Sequence, residues 1–363
     1  MKNKLTSVAL AAVIITYSLL SLGGVVASAE SGTAASEGAD EGIRVSSRLL
    51  ELIFGKREQA RESVRLVPGG NVFGAKIKQN GVVVTEIGND GSLFCIGDRI
   101  MKINGECVGS LEDAKAKINS SGGVTLDIEV LRAGEKRHIK VTPFLSSGSY
   151  KLGVVLKDGA AGIGTVTYID PATGAFGGLG HGICDAETGE VIEMTEGVVS
   201  GVLLGGVERG ERGKPGELRG VLTSKVKGSL YLNCECGVFG ILTNPDLYEE
   251  AIPIGRKNEI HEGAAEIIST VKNGERARYA IEICEIDSGS DSTKSFSIRV
   301  VDEALIAMTG GIVRGMSGSP IIQNGKLVGA VTHVMVANPT EGYGIFIENM
   351  LNAENQQTHP KAA

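Results

Sequence analysis

Thr309-Gly310-Gly311-Ile312-Val313-Arg314-Gly315-Met316-Ser317-Gly318-Ser319-Pro320 is the stretch from which the rest of this sequence is read. A serine sits on a glycine-bounded turn, with apolar Ile312-Val313 before it and Ile321-Ile322 after it. Gly315 and Gly318 remove side chains that would crowd the Ser317 hydroxyl, and they permit the sharp backbone such a turn needs. The amides of Gly315 and Ser317 are then candidates to converge on a developing oxyanion, commonly the largest single contribution to acyl-transfer catalysis. A plain Gly-Ser hairpin loop has the same local pattern, so the surroundings must decide. From 150 to about 350, short apolar runs alternate with Gly-rich turns, at 152–156, 164–168, 190–193, 198–204, 238–242, 279–286, 296–301, 320–322 and 327–333. Many short strands with glycine turns predict an all-β sandwich or a pair of barrels. The 52 glycines of the 363 residues, about twice the usual share, fit that reading.

A serine nucleophile requires a base. Among five histidines, His359 lies in a polar tail, His138 on a strand among Lys and Arg, and His261 in the charged run 258–262. His181 stands in Gly177-Gly178-Leu179-Gly180-His181-Gly182, where glycines on both sides expose the ring. It is the predicted base. His333, at the end of the apolar run Val328-Gly329-Ala330-Val331-Thr332, is the alternative. The third group should be a carboxylate that fixes the imidazole tautomer. Asp302 follows the alternating run 296–301 and precedes Ser317 by fifteen residues; Asp185 lies four residues after His181. Position favours Asp302, with Asp185 open.

The region 64–143 has a different texture. Short β-rich runs at 72–78, 82–87, 99–103, 124–131 and 138–141 surround one predicted helix, 111–118, with Ser110 as its N-cap and Asp113 three residues on. Gly97-Asp98-Arg99-Ile100-Met101-Lys102-Ile103-Asn104-Gly105, followed by that helix, resembles a PDZ domain. Asn104-Gly105 suits a tight turn with positive φ. The resemblance places the peptide-carboxylate loop at Pro68-Gly69-Gly70-Asn71-Val72-Phe73-Gly74, so Gly69, Gly70, Val72, Phe73 and Gly74 are expected to bind peptide. Such modules take an extended peptide as an added strand.

Lys2 and Lys4 precede an apolar run from about Leu5 that ends in Ala27-Ser28-Ala29, the pattern of an export signal. The run is also long enough to anchor in a bilayer if uncleaved. Residues 30–42 read as a linker and 43–62 as a short amphipathic helix. The net charge of −7 gives a nucleic-acid role little electrostatic support. Six cysteines in an exported chain of this length make no dense disulfide framework, and Cys234-Glu235-Cys236 lacks the spacing and second pair of a structural metal site, so no cofactor and no metal are expected.

The order of export signal, PDZ-like module, Gly180-His181-Gly182-Ile183-Cys184-Asp185 and the 309–320 stretch resembles the SpoIVB peptidase family of endospore-forming bacteria. Ala160-Ala161-Gly162-Ile163-Gly164-Thr165 and the run from Asn324 to Val334 resemble it too, so that the likeness spans roughly 66–347. It implies a mainly β chain: an N-terminal signal or anchor helix, a PDZ domain, then a trypsin-like double β-barrel. The divisions expected are 1–29 signal or anchor, 30–63 linker with helix, 64–145 PDZ, 146–353 peptidase and 354–363 polar tail. The resemblance carries the triad onto Ser317, His181 and Asp302. It implies secretion into the space between the forespore membranes. There the enzyme would cut the regulatory partner of an intramembrane metalloprotease, which processes a pro-sigma factor, and would cleave itself near the N-terminus. Membrane contact through the N-terminus is part of that picture. The region 207–236 departs from any family pattern. The contrasting reading is a non-catalytic PDZ scaffold with a protease-like domain. A stress protease-chaperone would place its peptidase before its PDZ domain, the reverse of the order here.

Overall fold

The computed structural model describes residues 64–358 except 89, 90, 92, 187, 272 and 273. The expected export segment, linker and amphipathic helix within 1–63, and His359, lie outside the described residues. Two strands of sixteen residues organise everything else. Val72–Ile87 and Val154–Ile169 run antiparallel to each other along nearly their whole length. Sequence reading divides each into two short strands; the structure joins them, with a register shift between Lys78 and Val83 marking the passage from one module to the next.

At one end the two strands belong to a barrel. Val72 to Lys78 pairs with Gly159 to Thr165, and the ring continues through Ala175–Gly178, Gly237–Leu242, Glu217–Cys234 and Met194–Glu208, whose Met194 to Ser200 returns to the first strand. Six strands thus close on themselves. Phe73, Ala75, Ile77, Val166, Phe176, Val199 and Val238 alternate inward and fill the interior. A second closed barrel is built from Gly263–Thr270, Arg276–Ile286, Phe296–Val300, Asn338–Phe346, Lys326–Met335 and Pro320–Gln323. Its core holds Ile267, Ile281, Ile298, Ile321, Val331 and Phe346. Tyr168, Phe239, Ile268, Leu327, Ile345 and Met350 form a further buried cluster drawn from strands of both barrels and the last helix.

At the other end the same two strands enter the PDZ-like module. Val83 to Ile87 pairs with Val154 to Lys157, and the sheet goes on through Arg99–Ile103, Leu126–Arg132 and Glu135–Val141. The predicted turn is present, with Asn104 at φ 51° and Gly105 at φ 83°. The helix Leu111–Ser120 starts where Ser110 caps the Asp113 amide at 3.1 Å, while Asp113 reaches back to the Gly109 amide. Asp98 of the motif is fully buried and is held by a bidentate bond from Arg132, each arm 2.6 Å. An isolated buried carboxylate would be costly, and the paired guanidinium offsets that cost.

This arrangement corrects the expected boundaries. Residues 64–78 belong to the first barrel, and the module fills 82–157, so it is inserted into the peptidase and does not precede it. Of the tail expected over 354–363, the described part, 354–358, belongs to a helix. Ile347–Thr358 is helical, and Glu354 accepts hydrogen bonds from the hydroxyls of Tyr168, at 2.8 Å, and Tyr231. Strands Glu217–Cys234, Gly263–Thr270 and Asn338–Phe346 escaped the sequence reading, and 190–193 is only a bridge from Cys184 to Val191.

Candidate active site

The Ser317 turn closes the approach to Pro320–Gln323 in the second barrel and leans on the first. Gly315 and Gly318 have φ of 96° and 94°, a region closed to most side chains. A Cβ on Gly318 would lie 2.0 Å from the Thr165 carbonyl oxygen. Three bonds from one strand of the first barrel fasten the turn. The Thr165 hydroxyl donates to the Gly315 carbonyl at 2.8 Å, the Thr165 amide to the Ser317 carbonyl at 3.0 Å, and the Thr167 hydroxyl to the Gly318 carbonyl at 2.8 Å.

The expected oxyanion donors are free for that use: among the described residues neither the Gly315 nor the Ser317 amide has an acceptor. Their direction is fixed from behind. Arg314 and Met316 carry the carbonyls of those two peptide planes, and these accept from the Leu218 amide at 2.8 Å and the Ser319 amide at 2.9 Å. Because a trans peptide points its N–H opposite to its C=O, anchoring the carbonyls aims the two amides.

His181 follows the strand Ala175–Gly178 of the first barrel. Leu179 and Gly180, at φ 66° and 69°, carry the chain across to the second barrel, where Gly180 packs against Thr332, Ala330 and Ile345. The Nδ1 of His181 lies 2.9 Å from the Gly182 carbonyl oxygen. A carbonyl only accepts, so Nδ1 carries the proton and Nε2 keeps its lone pair. Burial holds the pKa of His181 below the ordinary histidine value, partly opposed by the Gly182 bond. The ring lies 5.0 Å, centroid to centroid, from that of His333, at an interplanar angle of 36°. Ser317 donates its hydroxyl to the carbonyl of Thr332, next to His333, at 2.7 Å.

Asp302 is not brought to His181. It is the N-cap of the helix Glu303–Thr309, its Oδ1 accepting from the Leu305 amide at 2.9 Å and its Oδ2 from the Ala280 amide at 3.3 Å. Both oxygens serve the backbone, which corrects the expectation of a carboxylate on the imidazole. Asp185 accepts from the Thr188 amide in the loop after His181. The duty assigned to an acid, fixing the tautomer, falls here to the Gly182 carbonyl.

The peptide loop expected at 69–74 is also displaced. The Gly69 and Gly70 amides bond to the carbonyls of Thr167 and Val166, Gly70 packs on Ile268, and Val72, Phe73 and Gly74 pair with Thr165, Gly164 and Ile163 inside the first barrel. The groove of the PDZ-like module lies elsewhere. It is a cleft of 870 Å³ between Leu111, Lys115 and Ile118 of the helix and Leu152 with Val154 and Leu156 of the strand that follows it. The far edge of 154–156 pairs with no strand among the described residues. Leu152-Gly153-Val154, which borders that cleft, is an apolar-Gly-apolar run like Phe73-Gly74-Ala75, and sequence alone does not separate the two. All six cysteines are free, and among the described residues no three metal-type side chains gather. No described helix is long and apolar enough to cross a membrane.

Two closed barrels with a serine turn on one and a histidine loop on the other define a trypsin-like serine endopeptidase fold carrying a PDZ module. The family model for the SpoIVB peptidase S55 matches residues 148–351, more than half of the chain, and the chain belongs to that family. Among solved structures it is similar to the PDZ domain of an SdrC-like protein from Listeria monocytogenes, at 22% identity over 21% of this chain and 86% of that one, with a TM-score of 0.20. It is similar to the active form of the Rv3671c protease from M. tuberculosis, at 12% identity over 56% and 76%, TM-score 0.32. It is also similar to the HtrA-type protease AlgW with decapeptide, at 14% identity over 56% and 55%, TM-score 0.34. A search of curated proteins returns no match.

Proposed function

We propose that Ser317 is the nucleophile, His181 its base, and the Gly315 and Ser317 amides the oxyanion hole. The observation that carries this is the pair of aimed, unpaired amides of Gly315 and of the glycine-bounded serine itself. Rotation about the Ser317 side chain exchanges the Thr332 carbonyl for the lone pair of His181 Nε2. As Oγ bonds to the scissile carbonyl carbon, its proton passes to Nε2 and the carbonyl oxygen moves onto the two amides. The same proton then goes to the leaving amine, and water repeats the sequence to release the acyl group. Family membership supports a finer reading: export into the space between the forespore membranes, cleavage there of the membrane-associated regulator of an intramembrane metalloprotease, and self-cleavage near the N-terminus. A fluorophosphonate probe tests the core of the proposal. It labels the wild-type chain and leaves Ser317→Ala unlabelled; a folded wild-type chain that takes no label overturns the assignment.

A further inference from the structure

His333 is the unspent group of this site. Among the described residues its Nδ1 is the one buried side-chain polar atom without a hydrogen-bond partner. Buried nitrogens left unpaired are costly, and native proteins keep few of them. This one is not in a remote corner. Its ring packs on that of His181, and its chain neighbour Thr332 receives the Ser317 hydroxyl. The strand Lys326–Met335 fixes its place by pairing His333 with Tyr343. The residue also stands where the expected carboxylate does not.

We propose that His333 is the positioning residue of the base: a neutral imidazole packed on His181 that holds its ring and favours the imidazolium formed when Ser317 gives up its proton. The inference rests on the assignment of Ser317 and His181 above. His333 exchanges no proton; the proton still moves from Oγ to Nε2 of His181 and on to the leaving amine. What His333 supplies is an uncharged, polar and polarisable ring beside a charge that appears only during the reaction. Its surroundings keep it neutral. Burial, His181 and Lys294 together push its pKa down to about 4. Lys294 itself sits 5.1 Å over the ring of Tyr343, so the titratable and charged groups around His333 are His181, Lys294 and Tyr343. A carboxylate in the same place would add charge in the resting enzyme; a neutral ring acts only once His181 is protonated.

His333→Phe in the full chain is the informative variant, because it keeps a ring of similar size and removes both nitrogens. The expected result is a kcat lower by about tenfold to a hundredfold, with KM within about threefold, since the lost interaction belongs to the transition state. The acid limb of the kcat profile moves to lower pH. An NMR titration of His181 gives a second readout independent of turnover: in Ser317→Ala/His333→Phe its pKa falls by about half a unit or more relative to Ser317→Ala. Unchanged kcat and unchanged His181 titration would reduce His333 to packing and overturn the proposal. So would loss of all activity in folded His333→Phe alongside retained activity in His181→Ala, which would make His333 the base. Fluorophosphonate labelling separates the two levels: no label on the wild-type chain condemns the nucleophile assignment, whereas labelled wild type with an indifferent His333→Phe condemns only this inference.

Discussion

One strand, Val154–Ile169, does opposite things at its two ends. At Thr165 and Thr167 two hydroxyls and an amide are spent on three carbonyls of the Ser317 turn. At 154–156 one edge is bonded to Val84, Glu86 and Ile87 while the other borders an open groove. The first end needs a single geometry, because an oxyanion hole displaced by a fraction of an ångström loses much of its effect. Among the described residues, the second leaves backbone groups unpaired beside the groove, the kind of edge that an extended peptide can join as an added strand. Rigidity and adaptability are therefore separated along a single strand.

The largest test of this contrast is at the chemical end. Ser317→Ala and His181→Ala are each expected to lower kcat by about 10⁴- to 10⁶-fold without unfolding, as members of one catalytic unit do. Steady-state kinetics on folded variants checks it, and a fully active His181→Ala enzyme would move the base elsewhere. The adaptable end comes next. Excising the module by joining Lys78 to Gly159 with a tight turn is expected to spare hydrolysis of a short peptide. It is expected to slow cleavage of an anchored protein target by about 10²- to 10⁴-fold, the loss of an effective-concentration advantage. Equal slowing on both substrates would show that the groove end shapes the site and does not merely tether.

Thr165→Val sharpens the comparison further. It removes one hydroxyl from the Gly315 carbonyl and keeps the strand, and a kcat loss of about tenfold to a hundredfold at unchanged KM is expected, below the cost of deleting an oxyanion donor outright. Asp302 gives the smallest effect. Asparagine is as good an N-cap as aspartate, so Asp302→Asn is expected to keep most activity, while Asp302→Ala costs about 1 kcal/mol of stability in denaturant unfolding. A thousandfold fall in folded Asp302→Asn would restore the carboxylate role that the family likeness implies.

The two residues proposed as nucleophile and base stand out in the sequence because glycine leaves a mark. Ser317 and His181 are singled out by the glycines around them, of which Gly180, Gly315 and Gly318 hold positive φ and Gly182 lies close to the Cys234 carbonyl. Asn104-Gly105 is equally readable, since a tight turn with positive φ demands particular residues, whereas the Arg132 that holds the buried Asp98 is not. Nor is the division into modules. Gln79-Asn80-Gly81 interrupts the apolar pattern between 72–78 and 82–87, but such a break reads equally as a hairpin turn and as the passage of one strand from a barrel into another sheet. Asp302 shows a second limit: a strand-end aspartate before a short helix is equally good as a cap or as a triad acid, and only its bonds to Leu305 and Ala280 tell which. His333 could be suspected from sequence, but an unpaired nitrogen is visible only when its neighbours are in place.

Insertion of the module between Lys78 and Gly159 has a consequence for the order in which the chain can acquire structure. The first barrel cannot close until a strand made early meets one made after the whole 79–158 segment has emerged. As an unstructured loop, that segment would impose a substantial closure entropy on the barrel. Once 82–157 has folded, Val83 to Ile87 and Val154 to Lys157 are already side by side, and the strands leaving them need only zip onward from Lys78 and Gly159. The module is thus a built-in clasp for its host: it folds through contacts closer in sequence, brings the two halves of a distant hairpin together, and turns a slow search into a local one.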